Sequence, residues 1–148
     1  MKKRIGYCMV VLMAVSFFAA CAGTAAAQDA PDEAALIGVL QSDAGWQEKD
    51  AATRALRQKG TAASVPALAA LLTNKELSHS ARYALEPMPY PEAGRALRDA
   101  LGKTDGALKA GMAISLGVRR DAEAVPMLIP LIKDADPDIA RAALGALG

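Results

Sequence analysis

The residues of this chain that could do chemistry are few, and they stand apart from one another. His79 is the single histidine, and serines flank it at Ser78 and Ser80. Nucleophilic catalysis needs a nucleophile, a base within hydrogen-bond reach and a group that orients the base. No motif of that kind is present, whether a nucleophile elbow, a zinc-protease helix or a Cys–His pair. We therefore predict no catalytic residue and expect a surface or packing role for His79.

Metal and nucleotide sites are equally unsupported. Asp134, Asp136 and Asp138 form a dense carboxylate cluster, but a calcium loop would require more oxygen ligands at fixed spacing. Aspartates in such a turn more commonly cap a helix. The Gly-Lys-Thr string at 102–104 lacks the upstream glycine and the preceding strand of a phosphate loop. We expect no metal and no cofactor.

The first 27 residues have the features of a signal peptide. A basic start at residues 2–4 precedes an uncharged apolar run, and small residues at 25–27 form an A-x-A cleavage signal. The alternatives are a transmembrane anchor and a lipoprotein whose Cys21 carries lipid, although Phe18 is a poor start for that lipobox. The signal peptide and the lipoprotein both imply export to the periplasm or beyond, with membrane anchoring only if Cys21 is lipidated.

Cysteine and charge exclude further classes of protein. Cys8 and Cys21 are the two cysteines, so cleavage after Ala27 would leave no disulfide and no thiolate site. The formal net charge of +1 becomes −2 when the three basic residues at 2–4 are removed. Such a balance gives no electrostatic footprint for nucleic acid. Hydrophobic residues make up 53% of the chain but aromatic residues only 4%, which favours tightly stacked helices over a sheet.

Two ladders of leucines organise the rest of the chain. Their members recur every 29 to 32 residues by subtraction, and that period is typical of stacked repeats. Apolar residues after Val125 fall at helical spacing, and the Asp-Pro pair at 136–137 offers a second helix start. Each repeat is therefore predicted to be a helical hairpin. The first ladder is Leu36, Leu68, Leu97 and Leu128, and the second is Leu56, Leu85, Leu116 and Leu147.

Three strings carry a resemblance to a known family: VPMLIPLIKDADPDIARAALGALG at 125–148, VPALAALL at 65–72 and SLG at 115–117. They are similar to the short HEAT repeats of the phycobilisome-lyase (PBS-lyase) type. The resemblance implies an all-α, right-handed α-solenoid (superhelix) of about four HEAT-like hairpins in a domain at 28–148. The repeats would lie at about 32–60, 61–88, 89–117 and 118–148. The third departs from the pattern, with Pro91-Glu92 in place of Val-Pro and Gly106 in place of an Asp-Pro turn.

The same resemblance implies a role in protein interaction. In HEAT arrays the second helices line the concave face, and their exposed positions would contact a protein or peptide partner. The mixed charge of these positions argues against a polyanion as the ligand. We predict an exported, non-enzymatic scaffold without a nucleic-acid partner. The candidate contacts are Arg54, Arg57, Arg82, Tyr83 and Glu86.

Two other functions stay open. A bilin-lyase-like protein would handle a tetrapyrrole, although the signal peptide and the lack of His or Cys chemistry count against it. Alternatively, the chain is the amino-terminal repeat arm of a longer secreted enzyme, because Leu144 and Leu147 end the last repeat without an atypical cap.

Three local features also have two interpretations. We expect the Trp46 ring to cover the amino-terminal end of the solenoid, rather than to serve as a ligand platform. The proline-rich stretch 87–91 is expected to be a rigid turn between repeats, rather than a docking spot. The Arg119-Arg120 pair is expected to be solvated, rather than to bind an anion.

Overall fold

All regular structure in residues 32–148, which are the residues described by the computed structural model, is helical. The signal peptide and Cys21 predictions fall on residues 1–31 and lie outside this range. No helix of the described range is long and apolar enough to cross a membrane. The α-helices are α1 (Glu33–Gln41), α2 (Trp46–Lys59), α3 (Val65–Ala70), α4 (Ser78–Leu85), α5 (Pro91–Leu101), α6 (Gly106–Val118), α7 (Val125–Leu131) and α8 (Pro137–Leu147).

The helices pair and stack as a solenoid. Each odd-numbered helix packs on the even-numbered helix that follows it, which makes four hairpins. The second helices then pack in succession, α2 on α4, α4 on α6 and α6 on α8, while α1, α3 and α5 pack likewise. Stacking of this kind lets each hairpin bury a face that it cannot bury alone. The predicted all-α solenoid of four hairpins is confirmed, and its handedness stays a prediction.

The two leucine ladders form the core. All four leucines of the first ladder are buried, with Leu68 and Leu97 fully enclosed. In the second ladder Leu56, Leu85 and Leu116 are at most 1% exposed. Leu147 is only half-buried and packs at the edge of the core, because within the described residues no helix follows α8. The repeat period in the sequence is therefore the period of the core.

Small residues set how closely the second helices approach one another. Ala84 and Ser115 are buried at equivalent positions of α4 and α6. Gly117 is tighter still, since a Cβ added there would lie 2.6 Å from Cα of Ala146. That separation is too short for any side chain, so α6 and α8 touch backbone to backbone at this point.

Aspartates and prolines start the helices as the sequence indicates. Asp136 accepts a hydrogen bond from the Asp138 amide at 2.9 Å, and Asp134 accepts one from the Asp136 amide at 2.9 Å. Pro126 and Pro137 stand in first turns, where their missing N–H groups cost nothing. The predicted capping role is confirmed for Asp136, whereas Asp134 accepts from the cap residue itself and Asp138 lies within α8, paired with Arg141. Pro130 is tolerated within α7, which runs on to Leu131.

The end of α6 is closed by a residue in left-handed conformation. Arg120 has a φ of 51°, and its amide bonds the Gly117 carbonyl oxygen at 2.9 Å. The Asp121 amide then reaches back to the Leu116 carbonyl oxygen at 3.1 Å. This pair of bonds is the Schellman arrangement, which usually has glycine in the left-handed position.

The expectation that Arg119 and Arg120 form a solvated pair is wrong for Arg119. Its Nη1 donates to the carbonyl oxygens of Leu85, Glu86 and Met88 at 2.6, 3.0 and 2.7 Å, and Nη2 reaches that of Tyr90 at 3.3 Å. Carbonyls at a helix end lack intrahelical partners, and Arg119 supplies donors to those that end α4. Burial lowers the pKa of Arg119, while the negative charge of Asp121 counters part of that shift.

The proline-rich stretch is held from both sides. Met88 is 3% exposed and Tyr90 packs against the core, while Arg119 binds the backbone between them. Pro91 begins α5, so this stretch forms the start of the third hairpin, where the second and fourth hairpins have Val-Pro. The structure therefore agrees with a rigid turn between the second and third repeats.

Candidate partner-binding site

The candidate site is the surface formed by the second helices, which we call the second-helix face. It is defined by the repeat position two residues before each leucine of the second ladder: Arg54, Tyr83, Ile114 and Gly145. All four of these residues are exposed. The five predicted contact residues lie at the α2–α4 end of this face, with Glu86 directly after α4.

Arg57 and Tyr83 make the most organised contact on this face. The Arg57 guanidinium carbon lies 3.7 Å from the centroid of the Tyr83 ring, which is a cation–π contact between α2 and α4. His79 stacks on the same ring, with an interplanar angle of 8° and centroids 6.2 Å apart. Tyr83 remains 46% exposed, and His79 is exposed as expected. We refer to these three residues as the Arg57–Tyr83–His79 cluster.

Arg54 belongs to a second, looser group. Its Nη2 lies 2.7 Å from a carboxylate oxygen of Asp50 one turn earlier, and its side chain is 76% exposed. The Ser80 hydroxyl donates to the other oxygen of the same carboxylate. Asp50 is therefore occupied by α2 and α4 together, whereas Arg54 stays accessible to solvent.

Arg82 and Glu86 hold neighbouring repeats together. Arg82 Nη1 donates to the Gly111 carbonyl oxygen at 2.9 Å and to Ser115 Oγ at 3.0 Å. Ser115 in turn donates to Glu86 at 2.8 Å, so both charged side chains bind α6. Both are half-buried. Burial lowers the pKa of Arg82, and the negative charge of Glu86 counters part of that shift. The accessible members of the predicted set are therefore Arg54, Arg57 and Tyr83.

An apolar groove continues the face between α6 and α8. It encloses about 720 Å³, and Ile114 and Val118 line it with 52% and 61% of their surfaces exposed. Arg120, Arg141 and Asp138 stand at its rim, the last two paired at 3.0 Å. This groove was not predicted from the sequence. The sequence does contain an indication of the groove. Ile114 takes the repeat position of Tyr83, and Val118 follows one helical turn later, so two apolar side chains stand on the exposed face.

The sequence features that resemble metal and nucleotide sites can also be located in the structure. Residues 32–148 contain no group of three or more His, Cys, Asp or Glu side chains placed to hold a metal. The Gly-Lys-Thr string forms the turn after α5, where Thr104 Oγ1 donates to the Ala100 carbonyl oxygen at 2.8 Å. That threonine therefore ends a helix, which agrees with the rejection of a phosphate loop.

Trp46 contradicts the expectation that its ring covers the amino-terminal end. It begins α2 and keeps 57% of its surface exposed, so more than half of it lies in solvent. Glu48, which takes the place of the buried Leu77 and Ile139, is also exposed. The first hairpin is thus distinguished by a polar substitution rather than by an aromatic cover.

Comparison with known proteins agrees with this architecture. Residues 94–148, from within α5 to the end of α8, match the family of HEAT repeats. The two hairpins before them carry the same leucine ladders and stack in the same way. The matched segment therefore consists of HEAT repeats, residues 32–148 form a helical solenoid of the HEAT type, and the PBS-lyase subtype stays a prediction. No curated protein and no solved structure gives a significant match to the chain.

Proposed function

We propose that the chain is an exported, non-enzymatic scaffold that binds a protein or peptide partner on its second-helix face. The observation that carries the proposal is the exposed Arg57–Tyr83 contact, with an open apolar groove further along the same face. Arginine and tyrosine dominate the energetics of protein interfaces, and exposed apolar surface marks interaction sites. HEAT repeats commonly mediate such contacts.

The test is capture of partners with matched surface variants. A photo-crosslinking amino acid placed at Tyr83 should trap a partner from a periplasmic extract, whereas the same group at Arg95 on α5 should not. Arg95 is also exposed, but it lies on a first helix. The Tyr83→Ala and Arg54→Ala variants should each capture less of the partner than the wild-type chain does. Equal crosslinking at both positions, or full capture by both variants, would overturn the proposal.

Export is proposed from residues 1–27 alone. Sequencing the amino terminus of the cell-expressed protein should give Gln28 as the first residue. If the lipoprotein alternative is right, the chain instead starts at a lipid-modified Cys21, and Cys21→Ala abolishes labelling by a radioactive fatty acid. An intact Met1 on cytoplasmic protein would contradict both forms of export.

A second candidate, a repeat arm of a longer secreted protein, is supported by the surface that α7 and α8 turn away from the preceding repeat. Leu144 is 55% exposed, whereas Ala113 and Thr53 at the same repeat position are at most 1% exposed. Met127 is 36% exposed, whereas its equivalent Ala67 is 7% exposed. Equivalent residues in earlier repeats are covered by the next hairpin, so a further hairpin would cover these.

Reading the genomic frame beyond Gly148 tests this second candidate. A continuing frame with leucines at the same period would support an arm, and a frame that stops there would exclude it. The bilin-lyase alternative is tested by an absorption spectrum after incubation with bilins, where a shifted and retained chromophore would favour it.

A further inference from the structure

We infer that the second-helix face binds an extended peptide segment with a carboxylate side chain at Arg57 and an apolar side chain in the α6–α8 groove. This inference rests on the proposed function and adds to it the chemistry and the spacing of the ligand.

The charge that remains available on this face is positive. The carboxylate of Asp50 is held by Arg54 and Ser80. That of Glu86 accepts from Ser115, and its charge is balanced by that of the half-buried Arg82. Within residues 32–148 no carboxylate lies within ion-pair distance of Arg57. The sequence shows mixed charge here, but the structure satisfies the acidic groups internally. A complementary ligand is therefore an anion.

Arg57 is also held in a conformation suited to a carboxylate. Its guanidinium rests 3.7 Å above the Tyr83 ring, which His79 flanks with a nearly parallel imidazole. A planar guanidinium presents paired N–H groups that match the two oxygens of a carboxylate. Because the stack already restricts the side chain, binding costs less conformational entropy than it would for a free arginine.

The groove next along the face fits an apolar side chain. Its walls are aliphatic, and its volume of about 720 Å³ is open to solvent. Two arginines stand at its rim, and Arg141 is shared with the exposed Asp138. An anionic peptide with one apolar residue therefore meets cations at Arg57, an apolar wall at Ile114 and Val118, and Arg120 beyond.

The helix spacing sets the length of the ligand. Neighbouring packed helices lie about 8–10 Å apart, so the α2–α4 boundary and the α6–α8 boundary are separated by about 16–20 Å. An extended chain advances about 3.3 Å per residue, so the acidic and the apolar residue stand about five or six positions apart.

A peptide fits this surface better than a nucleic acid does. Nucleic-acid binding depends on several cations that track a row of phosphates. Here the cluster offers one unpaired arginine, and the next site along the face is apolar. One carboxylate followed by one apolar side chain uses both sites.

The experiment uses a fluorescent peptide of about ten residues, with Glu and Leu about six positions apart in a Ser/Thr background. Three relatives serve as comparisons: Glu→Gln, Leu→Ala, and the same residues placed about two positions apart. Fluorescence anisotropy with the chain from Gln28 gives the affinity of each. An oligothymidylate of similar length serves as the nucleic-acid probe.

We expect the Glu→Gln peptide to bind about tenfold more weakly, because a charge-assisted pair is lost. Arg57→Lys should weaken the Glu peptide while leaving the Gln peptide unchanged, because lysine keeps the charge but loses the planar fork. Ile114→Ala should weaken the Leu peptide and not the Ala peptide. Arg95→Lys, an exposed arginine of α5, is the matched control and should change nothing.

Equal affinity for the Glu and Gln peptides would overturn the inference, as would an oligonucleotide that binds more tightly than the peptides. Indifference to spacing would overturn the two-site geometry. Partner capture that depends on Tyr83 alongside any of these results would leave the proposed function standing while the inference fails. If neither partner capture nor peptide binding depends on this face, the proposed function and the inference both fail. Circular dichroism of every variant checks that the helices are retained.

Discussion

Arg119 donates to the carbonyl oxygen of Leu85 at 2.6 Å, across 34 positions of sequence and one repeat boundary. The bond joins the residue that follows α6 to the last residue of α4. Because the same guanidinium also binds the two turn residues that follow, one side chain closes a helix and fixes the connection to the next hairpin.

The first prediction concerns that contact. Arg119→Ala should lower the free energy of unfolding by about 2–4 kcal/mol, because several backbone carbonyls lose a charged donor in a half-buried place. Urea unfolding followed by circular dichroism measures it. Arg120→Ala is the control, since Arg120 is exposed, and it should change stability by less than about 0.5 kcal/mol. Similar losses of unfolding free energy in the two variants would contradict this stabilising role of Arg119.

The second prediction compares two glycines. Gly117→Ala should destabilise the chain by about 1–3 kcal/mol, because the added Cβ would lie 2.6 Å from the Ala146 backbone. Gly145→Ala on α8 has open space around it and should stabilise by about 0.5–1 kcal/mol, since alanine favours helix. The difference in melting temperature between the two variants is the measurement. An unchanged or raised melting temperature of Gly117→Ala would show that the α6–α8 contact is not tight.

The third prediction is a pH dependence. Glu33 accepts from the Thr61 amide at 2.7 Å, and this bond lowers the pKa of Glu33 below its usual value. A carboxyl with a lowered folded-state pKa stabilises the fold above its unfolded-state pKa, and this contribution is lost as the pH falls through the folded-state value. Glu33→Gln should therefore be less stable than the wild type at neutral pH.

That difference should shrink as the pH drops below about 4, where the unfolded-state carboxyl is protonated. Unfolding midpoints of both proteins from neutral to acidic pH measure it. Glu76→Gln, an exposed glutamate before α4, is the control. A difference that is constant with pH would show that the charge of Glu33 does not contribute.

The fourth prediction concerns the uncovered surface of α7 and α8. Leu144→Glu should leave the unfolding free energy within about 0.5 kcal/mol of the wild type, because this side chain is 55% exposed. It should also reduce self-association of the isolated chain, since exposed apolar surface promotes it. Light scattering over a range of concentrations measures this. Leu128→Glu is the contrast, because that leucine is 1% exposed and its replacement should unfold the chain.

The sequence was sufficient for the core because the core is periodic. The leucines of each ladder occupy equivalent positions in successive repeats, so their spacing alone indicates which residues lie in the core. Asp136 was equally predictable, since helix capping depends only on residues a few positions away.

Contacts between repeats were not predictable in the same way. Arg82, Glu86 and Arg119 look like surface residues in the sequence, yet each reaches a neighbouring repeat about thirty positions away. Their roles depend on how far one hairpin is displaced from the next, and no local pattern encodes that displacement. For the same reason the candidate site changed from four charged residues and a tyrosine to an exposed arginine–tyrosine pair and a groove further along the same face.

Trp46 has a consequence for how the protein can be observed. It is the chain's single tryptophan, and its indole is already largely surrounded by water in the folded state. Its emission will therefore change little when the helices melt, and it would report unfolding poorly. Because this tryptophan lies in the first hairpin, a shift in its emission wavelength would report a molecule that binds at that end of the array.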